Sequence, residues 1–283
     1  MDYSGKVVVV TGASSGIGHQ AARAFAGRGS VVIGVARREK LLGELIDECR
    51  RSSPQSSYMA GDLGQREFAE RVVTETVERH GRIDVLINNA GIPKHKLIYH
   101  MSPDEAARVM NVNFMSSLWT TLAAIPPMLT NGGGFIVNIS SFTAKVSPPR
   151  EAIYAASKAA MNAWSEGLWN DLAGSGIHVA LINPGPIDTE IWDKGDEPPS
   201  YRGPKYPPAI VVDAIFEAID KRRYEMTVPK RNLQLMAALA LRRLLPGLLR
   251  RGMARMEPVP PEMLEQARHR ARRAAQASRA DRD

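Results

Sequence analysis

The chain contains a single cysteine and no long uninterrupted apolar run. With Cys49 alone among 283 residues, an internal disulfide and a zinc site built from cysteines are excluded. No stretch of about 18 consecutive apolar residues is present, so the sequence predicts no transmembrane helix. Residues 1–6 are short and polar and lead directly into an apolar run, so we expect no secretory signal. These absences favour a cytoplasmic protein of a reducing compartment. No cluster of His, Asp and Glu suggests a metal site, and we expect none.

Positive charge is concentrated at the C-terminal end. The chain has 37 Lys and Arg against 30 Asp and Glu, a net charge of +7. Residues 221–283 hold 16 Lys or Arg and 6 Asp or Glu, a surplus larger than that of the whole chain. The surplus therefore says little about the main fold. Because it comes with no recognised motif or interleaved aromatic residues, we expect no nucleic-acid binding.

Apolar, β-branched runs alternate with segments whose apolar residues recur at helical spacing. Several runs are apolar without alternation, which is typical of strands covered on both faces of a sheet. Strand–helix alternation predicts right-handed crossovers, and hence a doubly wound parallel α/β sheet of about seven strands with helices on both faces. The predicted strands are 6–11, 30–36, 57–60, 83–87, 134–139, 177–182 and 226–228, and the predicted helices are 19–28, 39–51, 66–80, 103–129, 154–173 and 209–221.

Two segments interrupt this alternation. Residues 188–208 are rich in Pro, Gly and charge, and loops of this length in a compact domain are usually functional or disordered. After Pro229 the pattern changes to apolar stretches with paired arginines and then to a basic tail. We predict one α/β domain over 1–229, with 188–208 as a lid, and a helical, amphipathic and basic C-terminal extension over 230–283.

A glycine-rich turn, TGASSGIG at 11–18, follows the first predicted strand. Glycines let the backbone turn tightly, and a helix N-terminus presents N–H groups and a positive dipole end to phosphates. The spacing of Gly12, Gly16 and Gly18 differs from G-x-G-x-x-G, and a purely structural turn is the alternative. In its strand–turn–helix position, the motif predicts a dinucleotide-binding site.

The residues after the second strand bear on which dinucleotide is bound. Arg37 and Arg38 occupy the region where NAD-binding sites carry an acidic residue for the ribose hydroxyl. A guanidinium pairs with a 2′-phosphate and cannot accept a hydrogen bond from that hydroxyl. This pattern favours NADP(H). The alternative is that both arginines are solvated and that Glu39 favours NAD(H).

Tyr154 and Lys158 are four residues apart in a predicted helix and therefore share one face. An ammonium beside a phenol favours the phenolate, which predicts a Tyr154 pKa lowered from about 10 toward neutrality. A tyrosine tuned in this way can act as a general acid or base.

With these residues in place, the chain resembles the classical short-chain dehydrogenase/reductase family over 6–229, which implies a Rossmann-like fold. The resemblance rests on several motifs in order and at family-like spacing, each of which could occur alone by chance. They are the glycine turn, Asp62-Leu63, Asn88-Asn89-Ala90-Gly91, Asn113, Ser141, Tyr154-x-x-x-Lys158, and Asn183-Pro184-Gly185 followed by Thr189.

The resemblance implies a catalytic tetrad of Asn113, Ser141, Tyr154 and Lys158. In it, Asn113 holds a water of a proton relay and Ser141 binds the substrate oxygen. Tyr154 exchanges the proton, and Lys158 binds the nicotinamide ribose and lowers the Tyr pKa. Successive strand residues point to opposite faces, and the family-like interval to Tyr154 begins at Ser141, so we expect Ser140 to be structural.

The resemblance also implies the contacts of the cofactor. Asp62 would bind the adenine amino group with help from the Leu63 backbone, and 89–91 would lie beneath the adenosine ribose. Pro184, Gly185, Ile187 and Thr189 would flank the nicotinamide. The full implied set is Gly12, Ser14, Ser15, Gly16, Ile17, Gly18, Arg37, Arg38, Asp62, Leu63, Asn89, Ala90, Gly91, Tyr154, Lys158, Pro184, Gly185, Ile187 and Thr189.

Substrate contacts are less sharply indicated. His95 and His100 follow the fourth strand, Trp192 and Tyr201 lie in the predicted lid, and 147–149 borders the cleft in this family. For the histidines the alternative is a surface or packing role, and for the aromatic residues it is packing.

The C-terminal extension has three open interpretations. Residues 232–256 form two short amphipathic pieces divided by Pro246 and Gly247, with arginine pairs at 242–243 and 250–251. They could pack on a subunit or on the chain itself, contact a membrane surface, or cover the active site. Residues 265–283 are predicted to form a solvated basic tail.

These observations predict an NADP(H)-dependent oxidoreductase that interconverts a carbonyl and an alcohol, on a lipophilic ketone or secondary alcohol. NAD(H) as cofactor and a non-catalytic NADP-sensing protein are the alternatives, and epimerisation or dehydration by similar machinery also stays open. The presence of all four tetrad residues favours an enzyme over a sensor. Because the family often assembles through the helix at 103–129 and the Tyr-bearing helix, we expect a homodimer or homotetramer.

Overall fold

Seven parallel strands form one sheet in the computed structural model, which describes residues 1–197, 201–256, 260–263 and 265. The strands are β1 (Val7–Thr11), β2 (Val31–Ala36), β3 (Ser57–Ala60), β4 (Val85–Asn88), β5 (Gly134–Ile139), β6 (Ile177–Pro184) and β7 (Glu225–Val228). Their order is β3-β2-β1-β4-β5-β6-β7, and every neighbouring pair is parallel. The predicted doubly wound sheet is confirmed, with the point of reversal between β1 and β4.

Helices cover both faces of this sheet. They are α1 (Gly16–Ala26), α2 (Glu39–Arg50), α3 (Arg66–His80), α4 (Pro103–Met110), α5 (Ser116–Thr130), α6 (Ala152–Asp171), α7 (Ala209–Asp220), α8 (Leu233–Leu244) and α9 (Pro246–Met256). On β1, Val8 and Val10 belong to a core shared with α1, α2 and α7, whereas Val7 and Val9 belong to one shared with α3, α5 and α6. This two-sided burial explains the apolar runs without alternation.

The stretch predicted as one helix over 103–129 is helical throughout, but it is not a regular α-helix. It begins as predicted, with Ser102 and Glu105 forming a reciprocal capping box, but a π-helical turn over Asn111–Met115 separates α4 from α5. The amide of Ser116 donates to the carbonyl of Asn111, five residues earlier. Residues 111–115 contain no Gly or Pro, so the sequence carries no local signal for an interruption there. Such turns are frequent at functional sites.

The described chain divides into two compact units, Met1–Leu239 and a second that starts at Ala240. The first unit continues past Pro229 because the start of α8 packs within it. The Asn232 amide donates to the Tyr206 hydroxyl at 2.7 Å, and Leu235 lies against Gly185. Pro246 begins α9, as expected from its place in the sequence.

Every helix among the described residues is too short or too polar to span a lipid bilayer. The predicted tail falls outside the described residues except for Glu265.

Candidate active site

The loops after β1 and β4 are joined by hydrogen bonds at the point where the sheet reverses. The Thr11 hydroxyl accepts from the amides of Asn89 at 2.9 Å and Ala90 at 3.0 Å. The Asn89 side chain donates to the Thr11 carbonyl at 3.0 Å. In open parallel sheets, ligands bind at the carboxyl ends of the strands beside this reversal. Sequence reasoning did not single out Thr11, and its place before the first glycine is the available signal.

Gly12 and Gly18 bring the glycine turn close to its neighbours. Gly12 has a φ of +68°, and a Cβ there would lie 2.9 Å from the Ala90 Cα. A Cβ on Gly18 would overlap the Gly12 carbonyl. Side chains at either position would therefore push the start of α1 away from the sheet. Glycine here keeps the amino end of α1 against the crevice, where its N–H groups can meet an anion.

A cavity of about 690 Å³ lies along this crevice. Its size is that of a small-molecule or cofactor site, and its walls combine glycine backbone, a helix amino end and arginines, which suit a dinucleotide. Thirteen of the predicted cofactor residues line it: Gly12, Ser14, Ser15, Gly16, Ile17, Arg37, Arg38, Asp62, Leu63, Asn89, Ala90, Gly91 and Thr189.

The other predicted cofactor residues lie around this cavity without lining it. Gly18 packs on the glycine turn, Ile187 is buried in the core, and Gly185 is covered by Leu235. Pro184 ends β6. Thr189, which follows these residues, lies against the glycine turn: a Cβ on Gly16 would be 3.0 Å from the methyl group of Thr189.

Asp62 has an ionic partner that sequence reasoning missed. Arg108 of α4 donates to one carboxylate oxygen at 2.8 Å, and the Gly64 amide donates to the other at 3.1 Å. Burial alone would raise the Asp62 pKa, but these two hydrogen bonds and the charge of Arg37 hold the pKa below its usual value. Asp62 is therefore an acceptor at neutral pH, as an adenine amino group requires.

Arg38 reaches from the start of α2 to both the glycine turn and the lid. Its guanidinium donates to the Ser14 hydroxyl from two nitrogens, each at 3.2 Å. A third nitrogen pairs with Glu190 of the lid at 2.8 Å. Glu39 does not line the cavity and instead accepts from the Tyr58 hydroxyl at 3.4 Å.

The lid contains a short helix and is held by ion pairs along its described residues. A 3₁₀ helix spans Glu190–Lys194, and Ile187 and Tyr206 form an isolated parallel bridge. Asp196 pairs with Lys94, and Glu197 pairs with Arg150 at 3.2 Å. Residues 198–200 lie outside the described part of the predicted loop.

Asn113 lies on the π-helical turn and joins three parts of the site. Its amide oxygen accepts from the Ile92 amide at 2.8 Å, and its nitrogen donates to the Ile92 carbonyl at 3.1 Å. The same nitrogen donates to the Ser157 hydroxyl of α6 at 3.1 Å. The side chain is fully buried. Asn113 therefore holds the loop after β4 against the helix that carries Tyr154.

The structure separates the two adjacent serines at the end of β5. The Ser140 hydroxyl donates to the Lys158 carbonyl at 3.0 Å and to the Asn162 side chain at 2.5 Å, so it anchors α6. Ser141 is hydrogen-bonded to Tyr154 and also accepts from the Thr143 hydroxyl at 3.0 Å. The Ser141–Tyr154 pairing is the one that the sequence interval predicts.

The hydrogen bond of the Lys158 ammonium is with the backbone of β5 and not with Tyr154, as the spacing had suggested. The buried ammonium donates to the Ile139 carbonyl at 2.9 Å. A Cβ on Gly91 would lie 3.6 Å from this nitrogen and 3.5 Å from the Asn113 oxygen, so both groups meet the cavity wall at Gly91. Burial lowers the Lys158 pKa to about 8.

The expected lowering of the Tyr154 pKa is not found. Burial raises the pKa of the phenol, the charge of Glu151 raises it further, and the hydrogen bond with Ser141 opposes them. Sequence spacing showed that Tyr154 and Lys158 share a helix face, but it could not show where the ammonium points or how deeply the phenol is buried.

His95 and Glu151 form a buried pair beside Tyr154. Their closest nitrogen and oxygen atoms are 3.4 Å apart, and both side chains are almost fully buried. The His95 ring stacks on Trp192 of the lid, with centroids 6.1 Å apart. The ring centroids of Tyr201 and Trp192 are 6.0 Å apart. Of the two histidines singled out from the sequence, His95 therefore lies under the lid, whereas His100 is half exposed near Glu197.

Comparisons with known proteins agree on one family. A family model described as short chain dehydrogenase matches residues 6–199. The 11-beta-hydroxysteroid dehydrogenase 1A of Arabidopsis thaliana is 36% identical over 189 residues, which are 66% of this chain and 54% of that protein. The chain thus spans about half the length of that curated relative.

Two solved structures share the fold and carry different dinucleotides. A short chain dehydrogenase/reductase from Burkholderia phymatum in complex with NAD gives a TM-score of 0.79 at 26% identity, covering 92% of this chain and 99% of that one. A short-chain dehydrogenase from Sphingobium yanoikuyae in complex with NADPH gives 0.74 at 29% identity, covering 86% and 95%.

Proposed function

The chain belongs to the short-chain dehydrogenase family, and from this premise we propose that it is an NADP(H)-dependent oxidoreductase that interconverts a carbonyl and an alcohol. The observation that carries the proposal is the hydrogen-bonded pair of Ser141 and Tyr154, with Lys158 and Asn113 meeting at Gly91 on the cavity wall. A binding protein has no need for this arrangement, which supports an enzyme over a dinucleotide sensor.

The acid–base step belongs to Tyr154 and Ser141. A bound nicotinamide supplies or accepts the hydride. In the direction of reduction, negative charge develops on the carbonyl oxygen, and both hydroxyls can donate hydrogen bonds to it. Because burial raises the pKa of Tyr154, its phenol carries its proton at neutral pH and can deliver it to that oxygen. In this assignment, Lys158 holds the ribose hydroxyls and Asn113 orders the relay.

The arginines after β2 support NADP(H) as the cofactor. Arg37 and Arg38 both line the cavity, and Arg38 lies beside the Ser14 hydroxyl at the glycine turn. A guanidinium and a hydroxyl together suit a phosphate on the ribose. Because relatives carry either dinucleotide, NAD(H) is the second candidate, and Glu39, held by Tyr58 outside the cavity, does little to favour it.

A lipophilic carbonyl compound is the substrate class that we propose. In the lid, Trp192 stacks on His95 and contacts Tyr201, and Ile191 lines the cavity. Through His95, which pairs with Glu151, Trp192 brings apolar surface to the side of the site where Glu151 acts on Tyr154. The name of the Arabidopsis relative, a hydroxysteroid dehydrogenase, points in the same direction.

Replacement of the proton donor tests the proposal. We expect Tyr154→Phe to lower kcat for carbonyl reduction by about 10²–10⁴-fold, since that is the usual contribution of a general acid, while the Kd of NADPH stays nearly unchanged. The measurement is nicotinamide absorbance with a panel of apolar ketones and alcohols, each with NADPH and with NADH. Tyr224→Phe is the control, because Tyr224 is 57% exposed. Full activity in Tyr154→Phe would refute the assignment, and better use of NADH would refute the cofactor preference.

A further inference from the structure

A carboxylate of the lid already occupies the arginine that the proposed cofactor needs. Glu190 Oε2 lies 2.8 Å from one guanidinium nitrogen of Arg38, whose two other nitrogens face the Ser14 hydroxyl. Carboxylate and phosphate oxygens are alternative partners for the same guanidinium donors. Glu190 thus stands where an anionic group on the adenosine ribose has to compete.

Glu190 has a second cation within reach. Lys194, four residues later at the end of the 3₁₀ helix, pairs with the same carboxylate oxygen at 2.7 Å. When Arg38 turns to another anion, Lys194 can therefore retain the carboxylate. Hydrogen bonds first from Lys194 and then from Arg38 lower the Glu190 pKa to about 2, so this residue is an anion at any working pH.

The position of Glu190 in the lid links this contact to cofactor binding. Thr189 packs on Gly16 of the glycine turn, and Ile191 and Lys194 line the cavity. The Arg38–Glu190 bridge consequently ties the loop after β2 to the lid across one side of the cavity. A ligand that takes Arg38 releases this tie, whereas a dinucleotide without a 2′-phosphate leaves it intact.

We propose that Glu190 is a specificity-determining residue that competes with the 2′-phosphate of NADP(H) for Arg38. This inference rests on the proposed function and extends it. NADPH exchanges the lid carboxylate for its phosphate on Arg38, and the lid is freed at that point. NADH, which lacks the phosphate, binds with the bridge in place. Glu190 therefore reduces the preference for NADPH that Arg38 alone would produce.

The test is the Kd of NADPH and of NADH, measured by nucleotide fluorescence on the full-length wild type and on Glu190→Gln. We expect the variant to bind NADPH roughly two- to fivefold more tightly, the range of an exposed ion pair, with the Kd of NADH nearly unchanged. Glu197→Gln is the matched control, because it removes the same charge from the lid at a residue paired with Arg150 instead. It should leave the ratio of the two dissociation constants as in the wild type.

A second comparison, made in a protein that lacks the Arg38 guanidinium, isolates the role of Arg38. In Arg38→Met, adding Glu190→Gln should no longer change the NADPH-to-NADH ratio, because the contested guanidinium is gone. An unchanged ratio in Glu190→Gln alone, or the same gain with and without Arg38, would overturn the inference. A wild type that prefers NADH would instead count against the proposed cofactor, since the effect of Glu190 is read as a change in the ratio.

Discussion

The pKa of Tyr154 is set by burial and by Glu151 more than by Lys158, its neighbour on the same helix face. Burial and the carboxylate of Glu151 keep the proton on the phenol, while the Lys158 ammonium is engaged by the Ile139 carbonyl. Glu151 comes three residues before Tyr154 and precedes α6, and its carboxylate lies 3.4 Å from Nδ1 of His95. A buried carboxylate at this place favours the protonated tyrosine, and therefore proton donation.

Glu151→Gln should shift the pH dependence of catalysis in a defined direction. Removing the negative charge lowers the pKa of Tyr154, so the phenolate forms at lower pH. The rising limb of alcohol oxidation, which needs the phenolate, should move to lower pH, and the falling limb of carbonyl reduction should move the same way. The measurement is kcat/KM in both directions across the pH range.

The matched control for this shift is Glu166→Gln. Glu166 lies on α6, the helix that carries Tyr154, but it is exposed to solvent, so its charge is screened from Tyr154. The charged residues next to His95 and Glu151 in the sequence, Lys94, Lys96 and Arg150, are the same in both variants. Equal profiles for Glu151→Gln and Glu166→Gln would contradict the role given to Glu151.

Among secondary-structure elements, the π-helical turn decides how the site is assembled. It places Asn113 so that one side chain bonds both backbone groups of Ile92 and the hydroxyl of Ser157. The loop after β4, the helices α4 and α5, and helix α6 are thereby held to one another. The motif predicted Asn113 as a site residue, but its side-chain partners appear only when β4 and α6 are brought together.

Asn113→Ala should be strongly destabilising. It leaves the partly buried amide and carbonyl of Ile92 and the buried hydroxyl of Ser157 each short of a partner, and a fully buried group in that position costs about 1–3 kcal/mol. We expect a total loss of about 2–4 kcal/mol in the free energy of unfolding, because partial relaxation admits water. Urea unfolding followed by circular dichroism measures it.

Asn131→Ala supplies the comparison for that loss. Its amide donates to the Pro127 carbonyl at the exposed end of α5, so water can replace it. We expect a change below about 0.5 kcal/mol there. Similar losses in the two variants would show that Asn113 is not a structural centre of the site.

Over the whole molecule, the basic C-terminal helices are the feature that the catalytic fold does not explain. Leu244, Leu245 and Leu248 are each more than half exposed. Residues 233–256 carry five arginines and no Asp or Glu, so two copies of this segment repel each other. Of the interpretations left open by the sequence, this charge favours an anionic lipid surface.

Vesicle flotation tests that preference. The full-length protein should float with vesicles containing phosphatidylserine and much less with phosphatidylcholine alone. Replacing Arg250 and Arg251 by Gln should weaken binding by about tenfold or more, at about 1 kcal/mol for each arginine. Replacing the exposed Arg66 and Arg71 of α3 by Gln is the charge-matched control. Absence of wild-type flotation on anionic vesicles would remove the membrane interpretation and return attention to subunit packing.

Much of the fold was predictable because its causes are local. Apolar runs, helical spacing and the glycine turn report burial and backbone conformation directly, and they predicted the strands of the sheet and their parallel arrangement. The errors of the secondary-structure prediction lie where the sequence gives no local signal. They are the π-helical turn inside 103–129 and the start of α1, which begins at Gly16 within the glycine turn.

The sequence alone was enough to establish the doubly wound sheet, the family, and the residue types that line the crevice. Tertiary structure alone decided the direction of the Tyr154 pKa shift, the contact of Lys158 with Ile139, the pairing of His95 with Glu151 and the contact of Arg38 with Glu190. The physical reason is distance along the chain. A contact within one helix can be predicted from the sequence spacing of its two residues. Arg38 and Glu190 are 152 residues apart and meet only after the sheet has formed.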